Sequence, residues 1–405
     1  MPDPDNALVR EDARNRPLRV ALVTHYFSTH RGGVEKVAGE LATRLARTGR
    51  YTITWLSSDA SATPTSASGL EMVPINAWNG LERIAFPWPV WGFDSIGILR
   101  RAIRSSDIVH VHDFIYFGSV VAYFIARLAG KPIVVTQHIG DIPFRNPLLR
   151  VLIRVINRTL GRIVLGGADR VLFISAAVRR HFGEYIHFRQ ASCYVPNGVD
   201  TSVFHPVSSA RRNEIRRELG IEPHMRVLLY VGRFVDKKGL PLLGKLAAEM
   251  PEHRWWFAGW GQPDAPAHPA SWNLPNVRVF GDRSGATLAL LYCVADLLVL
   301  ASLSEGFPLV VQEAMACGTQ SLVAERIADG APDVGALLLR CPIDPPDEAV
   351  AKWKSAIGSA LAALDGATGP PRREALVEFT KSHWAWERTV DRYEEILAAV
   401  INSRR

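Results

Sequence analysis

Cysteine is scarce in this chain of 405 residues. The four cysteines, Cys193, Cys293, Cys317 and Cys341, lie far apart and form no C-x-x-C pair. Disulfide frameworks and zinc sites use cysteines at short, regular spacings, so this pattern argues against both kinds of site. We expect four small, buried thiols in a protein from a reducing compartment.

Long apolar runs and targeting signals are absent as well. No stretch of about 18 uncharged apolar residues occurs. The N-terminal sequence MPDPDNALVREDARNRP mixes acids and bases and lacks the apolar core of a signal peptide. We expect residues 1–17 to be the disordered tail of a cytoplasmic protein that is neither exported nor membrane-spanning.

Several ligand signatures are also missing. The first glycine loop does not match G-x-G-x-x-G, so a dinucleotide site is not supported. No nucleic-acid-binding module is recognisable, and nucleic acid is therefore not an expected partner. The one D-x-D string, Asp3-Pro4-Asp5, lies in the N-terminal tail and is accidental as a metal motif.

The chain does contain enough apolar sequence for two cores. Apolar residues make up 48% and charged residues 21% of it, as in ordinary globular proteins, and single cores stop growing near ~250–300 residues. The formal net charge of +7 is unevenly spread, since residues 1–199 carry a net +9 and residues 200–405 a net −2. The first half therefore favours an acidic partner.

Short β-branched strands alternate with amphipathic helices in two consecutive series. The first runs from LRVALVTH (18–25) to ADRVLFIS, and the second starts at RVLLYVGR (226–233), after the turn-rich PNGVDTSVFHP (196–206). Parallel strands joined by helices build sheets covered on both faces. The pattern predicts an α/β protein with two doubly wound, Rossmann-like lobes facing a central cleft.

Three loops after strands carry residues suited to a nucleotide. In HRGGVE (30–35), two glycines precede a helix N-terminus, which favours an anion, although a plain tight turn explains them equally well. In VGRFVDKKGL (231–240), Arg233 and Lys238 suit a diphosphate, a solvated basic loop being the alternative. In AGWGQ (258–262), two glycines leave room for a planar ring beside the backbone.

The segment SEGFPLVVQEAMACG (304–318) places Glu305 and Glu313 eight residues apart in an apolar run. Pro308 suits a first helical turn and Gly318 a helix end, so Glu305 falls in the loop after a strand and Glu313 inside the helix. Open α/β sheets bind ligands at such strand ends. Two helix caps or a surface ion pair are the alternatives to a ligand site.

Together these segments resemble the retaining, nucleotide-sugar-dependent glycosyltransferases of family 4, group 1 glycosyl transferases with the two-lobed GT-B fold. The resemblance covers residues 18–397 and rests on GGVE, VTQH, ADRVLFIS, VPNGVD, VGR with KKG, G-x-G and the E-x7-E of EGFPLVVQE. It implies transfer of a sugar from a UDP-, GDP- or ADP-sugar to an acceptor hydroxyl. Bacterial polysaccharide, glycolipid or lipid-linked glycan synthesis is the expected context.

The resemblance also implies a domain organisation. Residues 18–199 would bind the acceptor, residues 200–382 would bind the nucleotide sugar, and the last helix, within 383–405, would pack back on the first domain. A nucleotide-sugar epimerase of the same fold and a non-catalytic scaffold are the alternatives.

The implied catalytic set comprises His138, Glu305, Arg233 and Lys238. Glu305 would bind the hydroxyls of the donor sugar, while the two cations would neutralise the departing diphosphate. His138 would lie beside the transferred sugar, a core histidine being the alternative. Because cationic side chains and a helix N-terminus neutralise the diphosphate, we expect no metal ion and no other cofactor.

The implied substrate-binding residues surround the same nucleotide sugar. Glu313 would accept from the ribose hydroxyls and the helix N-terminus would hold the diphosphate, whereas a turn role fits Asn197 equally well. The full set is Gly32, Gly33, Asn197, Gly259, Gly261, Gly306, Phe307, Pro308, Leu309 and Glu313.

One further segment, NPLLRVLIRVINRTLGRIVL (146–165), predicts a basic amphipathic helix with arginine at every fourth residue: Arg150, Arg154, Arg158 and Arg162. FPWPVWGF (86–93) adds Trp88 and Trp91 as expected surface anchors. Both features favour reversible binding to anionic lipid on the inner face of the plasma membrane. A helix that is simply apolar inward and charged outward is the alternative.

Overall fold

The computed structural model describes residues 16–30, 32–80, 88–140, 146–303, 305–365 and 369–404. The chain forms two compact units. The first takes Met1–Ile174, Val178–Val195 and Val390–Arg405, and the second takes Ser175–Ala177 and Pro196–Thr389. Most of the expected disordered tail, with its D-x-D string, lies outside the described residues. Arg16, near the end of that tail, donates to both carboxylate oxygens of Asp107 at 2.8 Å.

The first unit is built on a parallel sheet. Its strands are β1 (Leu18–Tyr26), β2 (Tyr51–Ser58), β3 (Leu70–Ile75), β4 (Ala77–Trp78), β5 (Val90–Trp91), β6 (Ile108–His112), β7 (Ile133–Gln137), β8 (Arg170–Phe173) and β9 (Cys193–Tyr194). Its helices are α1 (Gly33–Arg47), α2 (Asp94–Ser105), α3 (Phe117–Leu128), α4 (Pro147–Gly167) and α5 (Ala176–Gly183). The strand order is β3-β2-β1-β6-β7-β8-β9, with β4 and β5 in a separate antiparallel pair.

The second unit repeats this plan. Its strands are β10 (Val227–Val231), β11 (Arg254–Ala258), β12 (Val277–Gly281), β13 (Leu297–Leu300), β14 (Gln320–Ala324) and β15 (Leu339–Cys341). They form one parallel sheet in the order β12-β11-β10-β13-β14-β15. The helices are α6 (Ser209–Glu218), α7 (Leu240–Glu249), α8 (Gly285–Val294), α9 (Leu309–Ala316), α10 (Glu325–Ala328), α11 (Pro346–Asp365), α12 (Gly369–His383) and α13 (Trp386–Asn402), the last running into the first unit.

The local sequence explains these elements. Strands β6 and β7 are buried at every position, as central strands of a parallel sheet are. Helix α4 starts at Pro147, where the side chain of Asn146 accepts the N–H of Leu148 at 2.9 Å. None of the described helices combines the length and the apolar composition that crossing a bilayer requires.

Each sheet has one point where the strand order reverses. In the first unit it lies between β1 and β6, and in the second between β10 and β13. Open α/β sheets bind ligands in the crevice beyond the carboxyl ends of such strands. The residues that follow these four strands are therefore the first place to look for a site.

Candidate active site

The loop after β10 carries Arg233 and Lys238, as the sequence predicts. The hydroxyl of Tyr230, a buried residue of β10, donates to the carbonyl of Arg233 at 2.9 Å and holds the start of the loop. The guanidinium of Arg233 lies 5.9 Å from the centre of the Trp260 ring. An exposed guanidinium over an indole is a preorganised cation beside a flat surface.

Gly239 brings this loop against the end of β13. Its φ of +79° is one that side-chain-bearing residues rarely adopt, and a Cβ there would lie 2.1 Å from the carbonyl oxygen of Ala301. The N–H of Leu303 donates to the carbonyl of Lys237 at 2.9 Å. The two loops at the reversal point of the second sheet are therefore packed together by their backbones.

Lys238 and Glu305 meet across these loops in a direct ion pair. Their side chains are 17% and 16% exposed, so the pair is partly open to solvent. The pKa of Lys237 is lowered by burial and by the neighbouring charges of Arg233 and Lys238. Three cations in one loop make a site that favours a diphosphate.

Helix α9 begins directly after this ion pair. Pro308 is its N-cap residue, rather than a residue of the first helical turn, and no side chain caps the helix. The ring of Phe307 is buried 5.3 Å from that of Trp384, so this residue has only its backbone to offer a ligand. Proline has no N–H, so Pro308 cannot donate, whereas the backbones of Gly306, Phe307 and Leu309 can, together with Val310 in the first turn of the helix.

Glu313 lies in the second turn of α9 and is 5% exposed. Tyr292, on α8, donates its hydroxyl to Glu313 Oε2 at 2.9 Å. Burial, and then the carboxylate of Glu313, raise the pKa of Tyr292 well above its ordinary value. One carboxylate oxygen is thus held in place by the tyrosine, so the carboxylate has a fixed orientation.

The remaining sequence-predicted residues of this unit have structural contacts. A Cβ on Gly259 would lie 1.9 Å from the carbonyl oxygen of Gly232, and one on Gly261 would lie 2.7 Å from the Cβ of Phe234. The carbonyl of Asn197 accepts from the side chain of Gln312 at 2.6 Å, which ties that segment to α9. Packing within the unit therefore accounts for both glycines.

In the first unit, His138 follows β7 and is 4% exposed. Its Nε2 lies 2.9 Å from Nδ1 of His112, and its backbone N–H donates to Asp113 Oδ1 at 2.8 Å. Burial lowers the pKa of His138 to about 3 and raises that of Asp113 to about 7. His138 is thus a buried, neutral imidazole held by β6, the strand at the reversal point.

Glu35, in the first turn of α1, lies beneath the predicted glycine loop. Its Oε1 is 2.8 Å from Nε2 of His25 and 3.4 Å from Nδ1 of His30. Burial alone would raise the pKa of Glu35, but the charge of His25 and the hydrogen bonds from both histidines hold it well below its ordinary value. A Cβ on Gly32 would lie 2.0 Å from Glu35 Oε2, whereas Gly33 faces open space.

Sequence reasoning missed Glu35, Asp113 and Tyr292. Glu35 stands in the quoted HRGGVE, but its burial beside His25 depends on how α1 sits on β1. Asp113 and Tyr292 also gain their partners only in the folded chain. The signal for Asp113 was its place at the end of DIVHVHD, one residue past a buried strand.

The predicted basic helix is confirmed as α4, but not all of its arginines face solvent unpartnered. Arg162 donates to the carbonyl of Tyr185 at 3.0 Å, and the guanidinium of Arg158 lies 5.8 Å from the Tyr185 ring. The prediction that Trp91 is a surface anchor is wrong. Its side chain is buried, at 4% exposure, because its ring packs over Gly118, which has no Cβ to block it.

All four cysteines are free, and three of them are buried. Among the described residues, no cluster of three histidine, cysteine or acidic side chains is placed to hold a metal ion.

Two family models match the chain. Glycosyltransferase Family 4 matches residues 31–203, and Glycosyl transferases group 1 matches residues 211–334. Together the two models span well over half of the sequence. The chain belongs to the family 4 glycosyltransferases. The recognition made from the sequence motifs is confirmed, and so is the prediction of a glycosyltransferase enzyme.

Curated relatives cover nearly the whole of this glycosyltransferase. A D-inositol 3-phosphate glycosyltransferase of Segniliparus rotundus is 28% identical over 89% of this chain and 83% of its own length. One of Mycolicibacterium smegmatis is 27% identical over 93% of this chain and 89% of its own.

Solved structures confirm the predicted GT-B fold. Sucrose-phosphate synthase of Thermosynechococcus elongatus superposes with a TM-score of 0.73 at 17% identity, over 95% of this chain and 100% of that one. Anabaena HepE, solved with UDP and glucose, gives a TM-score of 0.70 at 15% identity, over 94% and 99%.

Proposed function

We propose that this glycosyltransferase moves a sugar from a nucleoside-diphosphate sugar to an acceptor hydroxyl and retains the configuration of the sugar. The observation that carries the proposal is the cluster at the reversal point of the second sheet. There, Arg233, Lys237 and Lys238 concentrate positive charge beside Glu305 and the uncapped start of α9. This combination suits a donor with an anionic half and a hydroxyl-rich half.

Donor binding would exchange the Lys238–Glu305 ion pair for contacts with the ligand. The diphosphate takes the charge of Lys238, and the freed carboxylate of Glu305 accepts from the sugar hydroxyls. Glu313, whose Oε2 is held by the Tyr292 hydroxyl, accepts from the ribose hydroxyls. Because the ion pair is partly open to solvent, a ligand can reach both of its groups.

The proposed reaction breaks the bond between the anomeric carbon and the β-phosphate oxygen, and the acceptor oxygen bonds to the anomeric carbon from the same face. The acceptor's proton passes to the departing phosphate oxygen. Arg233 and Lys238 neutralise the charge that develops on the diphosphate, which is electrostatic stabilisation by preorganised groups. Neither glutamate acts as a nucleophile in this scheme, because both bind hydroxyls.

The buried polar cluster of the first unit is the proposed acceptor side. Glu35 with His25, and His138 with His112 and Asp113, lie at the carboxyl ends of β1, β6 and β7. Because His138 is neutral, we assign it a hydrogen-bonding role beside the sugar rather than that of a general base. The glycine loop over Glu35 offers its open Gly33 to a phosphate.

Two acceptor classes compete. A growing glycan or a lipid-linked glycan fits the basic first half of the chain and a role in polysaccharide or glycolipid synthesis. The names of the curated relatives favour D-inositol 3-phosphate as the second candidate. The proposal also includes a UDP-, GDP- or ADP-sugar donor, independence of metal ions, and a cytoplasmic enzyme bound peripherally to anionic membrane. The epimerase and scaffold alternatives lose their support, because the relatives are named as transferases.

The proposal is tested by incubating the purified protein with a panel of UDP-, GDP- and ADP-sugars and following slow hydrolysis. One donor is expected to be hydrolysed, and its β-phosphate to be released with the nucleotide as a diphosphate. Adding D-inositol 3-phosphate or a glycan primer then identifies the acceptor by a rise in rate. Complete inertness toward every donor, in a folded protein, contradicts the proposal.

A further inference from the structure

Exposed apolar side chains are concentrated on three helices of the first unit. The described part of the chain exposes sixteen large apolar side chains, and eleven lie on or at the start of α2, α3 and α4. They are Phe93, Ile96, Phe117, Phe124, Leu128, Leu148, Leu149, Val151, Leu152, Val155 and Ile163. Soluble surfaces scatter such residues singly, so this concentration marks an interaction surface.

These three helices share one face of the sheet. They precede β6, β7 and β8 in turn, and the chain crosses the sheet in the same direction each time. Right-handed crossovers place such helices on the same side. Helix α2 packs against α3, and the Tyr123 hydroxyl of α3 donates to the carbonyl of Ile163 on α4 at 2.8 Å. We call the outer surface of these helices the α2–α4 face.

The α2–α4 face is strongly basic. Its helices hold eight arginines and a single acid, Asp94. All eight arginines are exposed, and none forms an ion pair with another described residue. They are Arg100, Arg101, Arg104, Arg127, Arg150, Arg154, Arg158 and Arg162. Helix α1, which crosses in the reverse direction, mixes acids with bases and exposes no large apolar side chain.

The start of α4 extends beyond the packed part of the unit. Every residue from 146 to 152 is exposed, and Ile153 is the first buried position. A helix that packs along a sheet buries a residue every three or four positions. The first turns of α4 therefore expose Leu148, Leu152 and Arg150 to solvent or to a binding partner.

We propose that the α2–α4 face docks on an anionic lipid bilayer, with the first two turns of α4 inserted among the headgroups. This proposal rests on the proposed function, in which the enzyme binds peripherally to an anionic membrane. It adds which surface of the protein binds and which lipid groups that surface contacts. Aliphatic and aromatic side chains enter the headgroup and acyl boundary, while the arginines contact lipid phosphates. Nucleic acid would satisfy the arginines but would leave the exposed leucines and phenylalanines in water.

The test is flotation of the full-length protein with vesicles at physiological salt. Phosphatidylcholine vesicles containing phosphatidylglycerol are expected to carry the protein, and pure phosphatidylcholine to carry much less. Reversing two charges on the face, with Arg150→Glu and Arg154→Glu, lowers the bound fraction by about ten-fold or more. Leu148→Ser with Leu152→Ser lowers it as well. The matched control, Arg44→Glu with Arg47→Glu on α1, changes net charge equally and keeps the binding.

Three results overturn the docking proposal: no flotation of the wild type, equal binding to neutral vesicles, or equal loss in the α1 control. Capture by DNA without flotation overturns it too. Donor hydrolysis, measured on the same preparations without vesicles, separates this proposal from the proposed function. Hydrolysis without flotation defeats docking and the membrane location but leaves the proposed sugar transfer standing. Flotation without hydrolysis of any donor supports docking and defeats the proposed sugar transfer.

Discussion

Replacing His25 by phenylalanine removes the nearer imidazole partner of the buried Glu35 and keeps an aromatic ring against Tyr116, on which His25 stacks at 3.6 Å. The two partners of the ion pair are 4% and 2% exposed. Loss of His25 leaves His30, at 3.4 Å, as the remaining contact of the buried carboxylate, and breaking one side of a buried pair costs about 3–5 kcal/mol. The carboxyl escapes this penalty by taking a proton, at about 1.4 kcal/mol for each pH unit above its ordinary pKa of 4.5.

The carboxyl either stays charged or takes a proton, and the smaller of these two free energies determines how much stability the variant loses. Near pH 7.5 protonation costs about 4 kcal/mol, so we expect the variant to be less stable by about 3–4 kcal/mol, whereas near pH 5 the loss shrinks to about 1 kcal/mol. In the wild type the pKa of Glu35 is lowered on folding. Its contribution is therefore present above the unfolded pKa and is lost only as the pH falls toward the folded one.

In the variant we expect the sign to reverse. Burial, the largest influence on Glu35, raises its pKa once the charge and hydrogen bond of His25 are gone and only the longer His30 contact opposes it, so stability falls as the pH rises above 4.5. Hydrogen exchange of the β1 amides measures the free energy of opening for this unit alone. His187→Phe, at an exposed histidine of the same unit, is the matched control and is expected to stay within about 0.5 kcal/mol of the wild type. Equal destabilisation at both pH values would refute the ion-pair reasoning.

Three further predictions concern the second unit. Tyr292→Phe removes the hydroxyl that donates to the buried Glu313 Oε2. We expect thermal unfolding to show a stability loss of about 2 kcal/mol and the KM for the nucleotide sugar to rise, whereas an unchanged melting point and KM would contradict this. Lys238→Met is expected to lower kcat by about two to three decades, and a kcat within about three-fold of the wild type would exclude its charge role. Excess chelator is expected to leave the transfer rate unchanged, whereas a loss that Mg²⁺ restores would show a metal requirement.

The sequence predicts the fold well because both sheets are built from short apolar runs. IVHVH and IVVTQ are buried along their whole length, and such runs can hardly be placed elsewhere than inside a parallel sheet. Strand β3 was not predicted, since Pro74 lies within it and proline is confined to edge strands. The strand order shows that β3 is indeed at the edge.

The site is only partly predictable from the sequence. Arg233, Lys238, Glu305 and Glu313 are proposed from family motifs, and the structure brings the first three together in the loops after β10 and β13. Buried pairs such as Glu35 with His25, or Tyr292 with Glu313, join residues whose contact depends on how a helix sits on its neighbours. Trp91 was misplaced for the same reason, because the space that it fills is left by a glycine on another helix.

The turnover of Glu305→Ala at saturating donor tests the proposed donor site most directly. Glu305 lies at the carboxyl end of β13, paired with Lys238, and is proposed to bind the sugar that is transferred. We expect a folded variant with the melting point of the wild type and a turnover reduced by about two decades or more. Turnover equal to that of the wild type would contradict the placement of the donor sugar in the second unit.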